Sequence, residues 1–424
     1  MAQTSTTDSQ LQIKFVTKQQ KYAVSDTPYY VPSDITTAGL NDLLNEIIFE
    51  NGSSIEKQKI QFDFVVNEEL LRCKLNEYLT TNGISTERDI LIEYIEAVPS
   101  PEPLDCLQHD DWVSAVHASD KWILSGCYDN SIHIWSIKGK HLSSAVVHTG
   151  PVKGISWINA DSSVATFVSV SQDQTALLWE WDRAQNEVRS TCICRGHERT
   201  INCLDVRPSK SIFATGGWDS TLKIWSTDYS APVNEEEEEI AAKRRKSKPD
   251  ALFTRIPKST LKGHKEAISA IQWTDDDEIL SASWDHTLKI WDVEYGGMKT
   301  ELVANKSIFN ASYSSLNKLI ITCGADRSVR LYDPRSNEGS IVKKTFMSHK
   351  EWVQCVKWSN TDPNLFVSGS YDNDLKLWDI RSSNTPLYDL LGHEDKIMCC
   401  DWSKASLIVS GGADSTVRLF SVEH

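Results

Sequence analysis

The first 111 of the 424 residues contain no tryptophan, although the chain carries 15. Such a compositional break excludes a single uniform repeat array and points to at least two domains. No stretch approaches the ~20 apolar residues that a spanning helix needs. The N-terminus, Met1-Ala2-Gln3-Thr4-Ser5, lacks an apolar signal core, so secretion is not expected. Positive charge is in deficit: 44 Lys and Arg stand against 59 Asp and Glu, a net charge of -15. That balance disfavours nucleic acid or an anionic membrane as the principal partner, because phosphate binding needs a basic face. The ten cysteines follow no repeating frame, which fits reduced thiols packed as small hydrophobes. A phosphate loop, a nucleophile elbow and a credible metal set are all missing, so no enzymatic activity is expected.

The boundary itself is written in proline. Val98-Pro-Ser-Pro-Glu-Pro-Leu104 places three prolines within five residues, a stiff segment that cannot continue a helix. Residues 98–103 are assigned as a linker. They separate a domain over 10–97, preceded by a disordered N-terminus over 1–9, from a second domain over 104–424.

Beyond the linker the chain is periodic. Seven times an Asp precedes an aromatic by six positions: Asp129–Trp135, Asp173–Trp179, Asp219–Trp225, Asp285–Trp291, Asp326–Tyr332, Asp372–Trp378 and Asp414–Phe420. The Asp residues are 44, 46, 66, 41, 46 and 42 positions apart, and all but one gap lies near a period of ~40–45 residues. In phase with them, His148, His264, His349 and His393 each precede a Trp by nine positions, and His197 precedes Val206 likewise. His109 opens the first unit. Between these marks run short alternating apolar segments bounded by Asp, Asn, Gly and Ser, which is strand and turn chemistry.

This pattern resembles the WD-repeat family and implies a mainly β fold, a seven-bladed β-propeller over 104–424. The family places each Asp in a tight turn between the second and third strands. There it bonds a His, and a Ser or Thr and the Trp complete a buried network. The network is assigned to His148, Asp173 and Trp179; His197, Asp219 and Trp225; His264, Asp285 and Trp291; His349, Asp372 and Trp378; and His393 with Asp414. In the fifth unit the His position falls on Ala304 and the Trp is Tyr332, so the network is expected to be missing there. A hydrolase triad is rejected because these residues recur once per repeat. Cys192, Cys194 and His197 form at most a loose metal cluster, since His197 belongs to the repeat and a fourth ligand is not evident. No metal is expected to be held by this chain alone. Phe420 lies four residues from the C-terminus, leaving nothing for an outer strand of the last blade. Glu102–Gln108 is the natural donor, a latch that removes an exposed edge.

The one long gap marks an insertion over 228–255. Glu235–Glu239 is an acidic run, and Lys243, Arg244, Arg245 and Lys246 form a basic one after it. Such blocks do not fold alone, so disorder is expected. The basic half reads as a nuclear localisation signal; a merely solvated loop is the alternative.

In the N-terminal domain, Leu11–Thr17 alternates as a strand and Thr27–Pro32 is a second. Leu40, Leu43, Leu44, Ile47 and Ile48 form one stripe of a helix over Thr36–Ile48. Gln61–Val66 and Asp89–Glu96 read as further strands, with a turn and short helix over Leu70–Leu79. The order resembles the ubiquitin-like roll, without the Gly-Gly tail of a conjugated modifier.

An N-terminal ubiquitin-like domain, a proline-rich linker and a propeller together resemble the Notchless-like group of ribosome-assembly factors. Phe62-Asp-Phe, Glu69-Leu-Leu-Arg and His109-Asp-Asp-Trp-Val are similar to one branch, the WD-repeat subunit of pescadillo–Bop–WD (PeBoW) complexes. Notchless itself carries one repeat more and no such charged insertion. The resemblance implies a nuclear, nucleolar and nucleoplasmic scaffold in assembly of the large (60S) ribosomal subunit and in pre-rRNA processing (27S/32S to mature 5.8S and 28S/25S rRNA). Its implied partners are a Bop-type WD-repeat protein, pescadillo, the pre-60S particle and midasin, an AAA ATPase. In this family the ubiquitin-like domain docks on midasin, and an acidic side chain before the last strand completes a Mg²⁺ site held by midasin. Within Asn82-Gly-Ile-Ser-Thr-Glu87-Arg-Asp89, Glu87 best fits that position and Asp89 is the backup; from the residues alone an exposed loop Glu is ordinarily just solvated.

Two positions per repeat share one rim in this family: the residue before the turn Asp and the residue three after the His. Here they hold Tyr128, Trp218, Trp284 and Tyr371, and Trp112 and Trp352. Large aromatics of this kind are enriched at interface hot spots, so this face is assigned to the Bop-type partner; packing over the blade core is the alternative for each. Two other functions stay open. Trp378-Asp-Ile-Arg381 fits the W-D-x-R pattern of cullin ubiquitin-ligase substrate receptors, and a Notchless-type assembly factor is the nearer relative.

Overall fold

The computed structural model describes residues 10–50, 59–228, 252–336 and 342–422. Two compact units divide the chain, one built mainly from residues 1–99 and the other from residues 100–378 and 388–423.

In the first unit, strands β1 (Gln10–Val16), β2 (Tyr29–Pro32), β3 (Phe62–Val66), β4 (Glu69–Leu70) and β5 (Ile90–Glu96) form one sheet in the order β2-β1-β5-β3-β4. β1 runs parallel to β5 and the other pairs are antiparallel. Helix α1 (Thr37–Glu50) carries the expected stripe, with Leu40, Leu44, Ile47 and Ile48 buried against Ile13, Phe15, Phe64 and Tyr94. Leu43, at the stripe's margin, is only partly buried. A short helix α2 (Leu75–Thr81) precedes β5. This is the ubiquitin-like arrangement.

Two buried asparagines of α1 have no counterpart in the sequence pattern. Asn41 Oδ1 accepts the Phe62 N–H at 2.9 Å, and Asn45 both accepts from Ile60 N at 3.0 Å and donates to Ile60 O at 2.9 Å. Each amide replaces a missing strand partner, so the entry to β3 is satisfied without water.

The second unit is mainly β, with seven sheets of at least four strands. Their first strands are Val113–Ala118, Val152–Asn159, Ile201–Val206, Ile268–Trp273, Ile308–Tyr313, Val353–Trp358 and Ile397–Lys404. Each packs on the next, and Ile397–Lys404 packs in turn on Val113–Ala118. The second strands are almost wholly buried, as in Leu365–Ser370, because both faces meet neighbouring sheets. The residue after the turn Asp takes a left-handed backbone in six repeats, for example Asn130 at φ 73° and His286 at φ 67°. That conformation makes the tight second-to-third-strand turn.

The segment Glu102–Gln108 is strand β6, and it pairs antiparallel with Thr416–Ser421 as the fourth strand of the seventh sheet. Leu107 faces inward and packs with Val113, Val417 and Leu419. Glu102 and Pro103, counted with the linker on sequence grounds, are thus already in the sheet.

The insertion needs one correction. Residues 229–251, including Lys243, Arg244, Arg245 and Lys246, lie outside the described residues. At its far end, expected to be disordered through residue 255, Phe253–Arg255 is instead a strand. It runs parallel to Glu187–Arg195 as a fifth strand of the second sheet, with Arg255 buried. An open ladder edge captures any short segment delivered beside it, whatever the composition upstream.

Candidate functional site

Four repeats build the same buried chain of bonds, and the seventh builds it without the Trp, which is Phe420 there. In the fourth, Trp291 Nε1 donates to Ser281 Oγ at 2.7 Å, His264 Nε2 meets the same Oγ at 2.7 Å, and His264 Nδ1 meets Asp285 Oδ2 at 2.9 Å. Lys265 N at 2.8 Å and Thr287 Oγ1 at 2.6 Å also donate to the Asp285 carboxylate. His148–Asp173, His197–Asp219, His349–Asp372 and His393–Asp414 repeat the contact at 2.8–3.0 Å. Trp179, Trp225 and Trp378 close theirs on Ser169, Thr215 and Ser368. Burial alone would raise the Asp285 pKa, but the bonds from Thr287, Lys265 and His264 hold it at about 2 against an ordinary 3.8. Asp414 is held at about 2 in the same way. Burial pulls His264 below 6.5, so it sits there as a neutral donor. His264, Ser281, Thr287 and Asp285 are thus each bonded to another group of the network.

These networks give stability a definite pH dependence. A carboxylate depressed from 3.8 to about 2 gives stability that is present above 3.8 and lost as pH falls towards 2. A histidine depressed below 6.5 adds to the loss in the same direction. We expect melting temperature to fall steeply below about pH 4, and less steeply in Asp285→Asn, which cannot titrate. Equal slopes in the two proteins would contradict this. Asp285→Ala, which strands the His264 and Thr287 donors, should cost about 2–4 kcal/mol, readable by denaturant unfolding.

Two repeats differ. In the fifth, Arg330 and Ser328 serve Asp326, so an Arg–carboxylate pair stands in for the missing His. The expected absence of the histidine holds, but the turn is not left bare. In the first, His109 Nδ1 meets Leu107 O at 3.2 Å rather than Asp129, which instead binds Ser131. Cys192 and Cys194 lie buried among Phe213 and Trp225, while His197 is committed to Asp219 and Thr215.

The first strands carry a second polar set that sequence periodicity did not reveal. Asp401 accepts from Ala118 N at 2.8 Å and lies 3.6 Å from Lys357. Asp205 accepts from Trp273 N at 2.7 Å and is pushed up to about 6 by burial. These carboxylates tie neighbouring first strands together. They occur in two repeats rather than seven, so no period marks them.

The six rim aromatics come together in pairs. Trp112 lies 5.4 Å from Tyr128, Trp218 lies 5.5 Å from Trp284, and Trp352 lies 6.3 Å from Tyr371. Trp112, Trp218 and Trp352 are 44%, 37% and 48% exposed, more than core packing would leave; Tyr128, Trp284 and Tyr371 are half-buried beneath them. The two chosen positions are joined by backbone bonds, Tyr128 N to Trp112 O at 3.0 Å and Tyr371 N to Trp352 O at 2.9 Å. Sequence reasoning missed Phe309, which packs on Trp352, and two lysines, Lys153 over Tyr128 at 4.3 Å and Lys396 over Tyr371 at 5.2 Å. Lys153 and Phe309 share a spacing of five from the His position, His148 and Ala304, and Lys396 lies at the spacing of three already used for Trp112 and Trp352.

In the first unit, Glu87 stands on an exposed bend between α2 and β5, its N–H bonded to Ser85 Oγ at 3.3 Å. Asp89 lies 3.9 Å from Lys14 Nζ, which already compensates its charge. Glu87 is therefore the freer carboxylate of the two.

Both units define the class: a WD-repeat protein with an N-terminal ubiquitin-like domain. Residues 11–79 match the NLE (NUC135) domain, and 101–136, 188–226, 255–292, 298–333, 340–379 and 384–421 match the WD domain, G-beta repeat. The chain is similar to the ribosome biogenesis protein WDR12 homologue of Aedes aegypti, 48% identical over 417 residues, covering 98% of this chain and 96% of the relative. The homologue of Drosophila pseudoobscura pseudoobscura is 51% identical over 413 residues, covering 97% and 96%. The chain belongs to this family of ribosome biogenesis WD-repeat proteins.

Proposed function

We propose that this protein is a non-enzymatic scaffold in assembly of the large ribosomal subunit and in pre-rRNA processing. The observation that carries the reading is identity near 50% along almost the full length of proteins named for ribosome biogenesis. The second unit acts as a closed seven-bladed propeller; the packing of Ile397–Lys404 on Val113–Ala118 and the pairing of β6 with Thr416–Ser421 support it. The division into a ubiquitin-like domain over 10–97, a linker and a propeller over 104–424 separates two binding tasks. The propeller's aromatic rim holds a Bop-type partner, and through it pescadillo, on pre-60S particles. The ubiquitin-like domain offers Glu87 to a Mg²⁺ held by midasin, whose ATPase cycle removes the factor. This chain supplies one carboxylate to that ion, an oxygen ligand of the kind Mg²⁺ prefers. Its site of action is the nucleolus and nucleoplasm, with residues 243–246 as the import signal.

The cullin-receptor reading is weaker. Arg381 turns its guanidinium onto Asp379, with Nε at 2.8 Å from Oδ1 and the side chain 13% exposed. Asp333 and Arg335 form the same pair one repeat earlier, so the motif serves the blade.

Trp112→Ala with Tyr371→Ala tests the rim. Each removed hot-spot aromatic should cost at least about 2 kcal/mol of binding, so affinity for the Bop-type partner measured by calorimetry should fall roughly 30-fold or more per side chain. Unchanged affinity would move the interface to another face.

A further inference from the structure

The geometry points to a zinc-class metal site in the first repeat, formed by His109, Cys127 and His133. No metal was expected from the sequence. Yet ligand atoms of His109, Cys127 and His133 all lie within 4.8 Å of one another, the one such group among the described residues.

These ligand types are peculiar to this repeat. Two positions before the turn Asp, where this repeat has Cys127, the others hold Ser171, Gly217, Ser283, Gly324, Ser370 and Gly412. Four positions after it, where this repeat has His133, the others hold Leu177, Lys223, Lys289, Arg330, Lys376 and Arg418. The repeat framework therefore explains neither residue. His109, which the framework does explain, has here given up the usual Asp contact.

The surrounding bonds suit metal ligation. A carbonyl only accepts, so the 3.2 Å contact of His109 Nδ1 with Leu107 O puts the ring proton on Nδ1 and leaves the Nε2 lone pair inward. Metal-ligating histidines are oriented in this way, by a bond from the other ring nitrogen. Nε2 meets the Ser125 hydroxyl at 2.8 Å, which also accepts from Trp135 Nε1 at 3.0 Å. His133 has Ser131 Oγ at 2.8 Å on one nitrogen and His141 Nε2 at 3.2 Å on the other. The rings of His109 and His133 are 5.0 Å apart and those of His133 and His141 are 5.4 Å apart.

Electrostatics agree. Asp129, Asp111 and Asp110 lie near the Cys127 thiol, whose proton the metal replaces. Binding exchanges that proton, released to solvent, for the S–metal bond. The three carboxylates then favour the added positive charge. A thiolate with imidazoles selects zinc or cobalt over magnesium or calcium.

The test uses the untagged full chain, stripped with chelator and titrated with Co²⁺ and then Zn²⁺. We expect one Co²⁺ per chain with tetrahedral visible bands and a thiolate-to-cobalt charge-transfer band, bleached by equimolar Zn²⁺. Cys127→Ser and His133→Lys install residues that other repeats carry at these positions, so both variants should fold. Both should lose stoichiometric binding, and Cys127→Ser should lose the charge-transfer band. Absence of the band in the parent protein would overturn the site. So would its persistence in Cys127→Ser, or full Co²⁺ affinity in His133→Lys.

Discussion

Deleting residues 101–108 is expected to unfold the second unit or to drop its melting temperature by more than 10 °C or so. β6 supplies the entire outer ladder of the seventh sheet, with Val417 opposite Leu107 and Thr416 opposite Gln108. Its ladder bonds contribute roughly 1 kcal/mol each, and burying Leu107 adds about 2 kcal/mol. The sum approaches the ~5–15 kcal/mol that holds a typical domain together. The deletion also bares the Thr416–Ser421 edge, a template for aggregation. Leu107→Asp is the milder companion: it keeps the chain length and should still lower the melting temperature by several degrees. Unchanged calorimetric unfolding of the deletion would show that the seventh sheet does not depend on its N-terminal strand.

Glu87→Ala should reduce binding to the metal-holding domain of midasin by more than about 100-fold, since merely mis-orienting a metal ligand costs 10–100-fold. Glu87→Asp should keep part of the affinity, because it retains a carboxylate on a shorter stem. Folding should be unaffected: the side chain is exposed, and exposed substitutions stay within about 0.5 kcal/mol. Circular dichroism and a binding titration on the same samples check both halves. Full binding by Glu87→Ala, with loss in Asp89→Ala, would transfer the role to the residue beside Lys14.

The division of legibility has a physical basis. Elements with a strict period could be read directly: α1 from its stripe, β1 from alternation, and the His–Asp networks from an Asp–aromatic spacing that recurs seven times. The latch was readable because Glu102–Gln108 stands just ahead of the first repeat and belongs to no repeat of its own. Contacts without a period were not readable. Asn41 and Asn45 bond backbone atoms rather than side chains, so their partners leave no mark in composition. Asp205 and Asp401 join neighbouring sheets, and Phe253–Arg255 pairs across an insertion whose charge masked it. In the rim, the six aromatics came from two fixed offsets; Lys396 stands at one of them, three after His393, but is not aromatic, whereas Lys153 and Phe309 sit at a third. The first repeat was the most misleading, because His109 keeps the bond to Ser125 while its Nδ1 turns from Asp129 to Leu107 O.

The most direct test of the scaffold account is affinity purification with mass spectrometry from cells, comparing the full chain with residues 98–424 alone. The account predicts that both forms recover the Bop-type partner, pescadillo and large-subunit precursors, and that only the full chain recovers midasin. Recovery of midasin by the truncated form, or loss of the Bop-type partner with residues 1–97, would contradict the assignment of the two tasks to the two units.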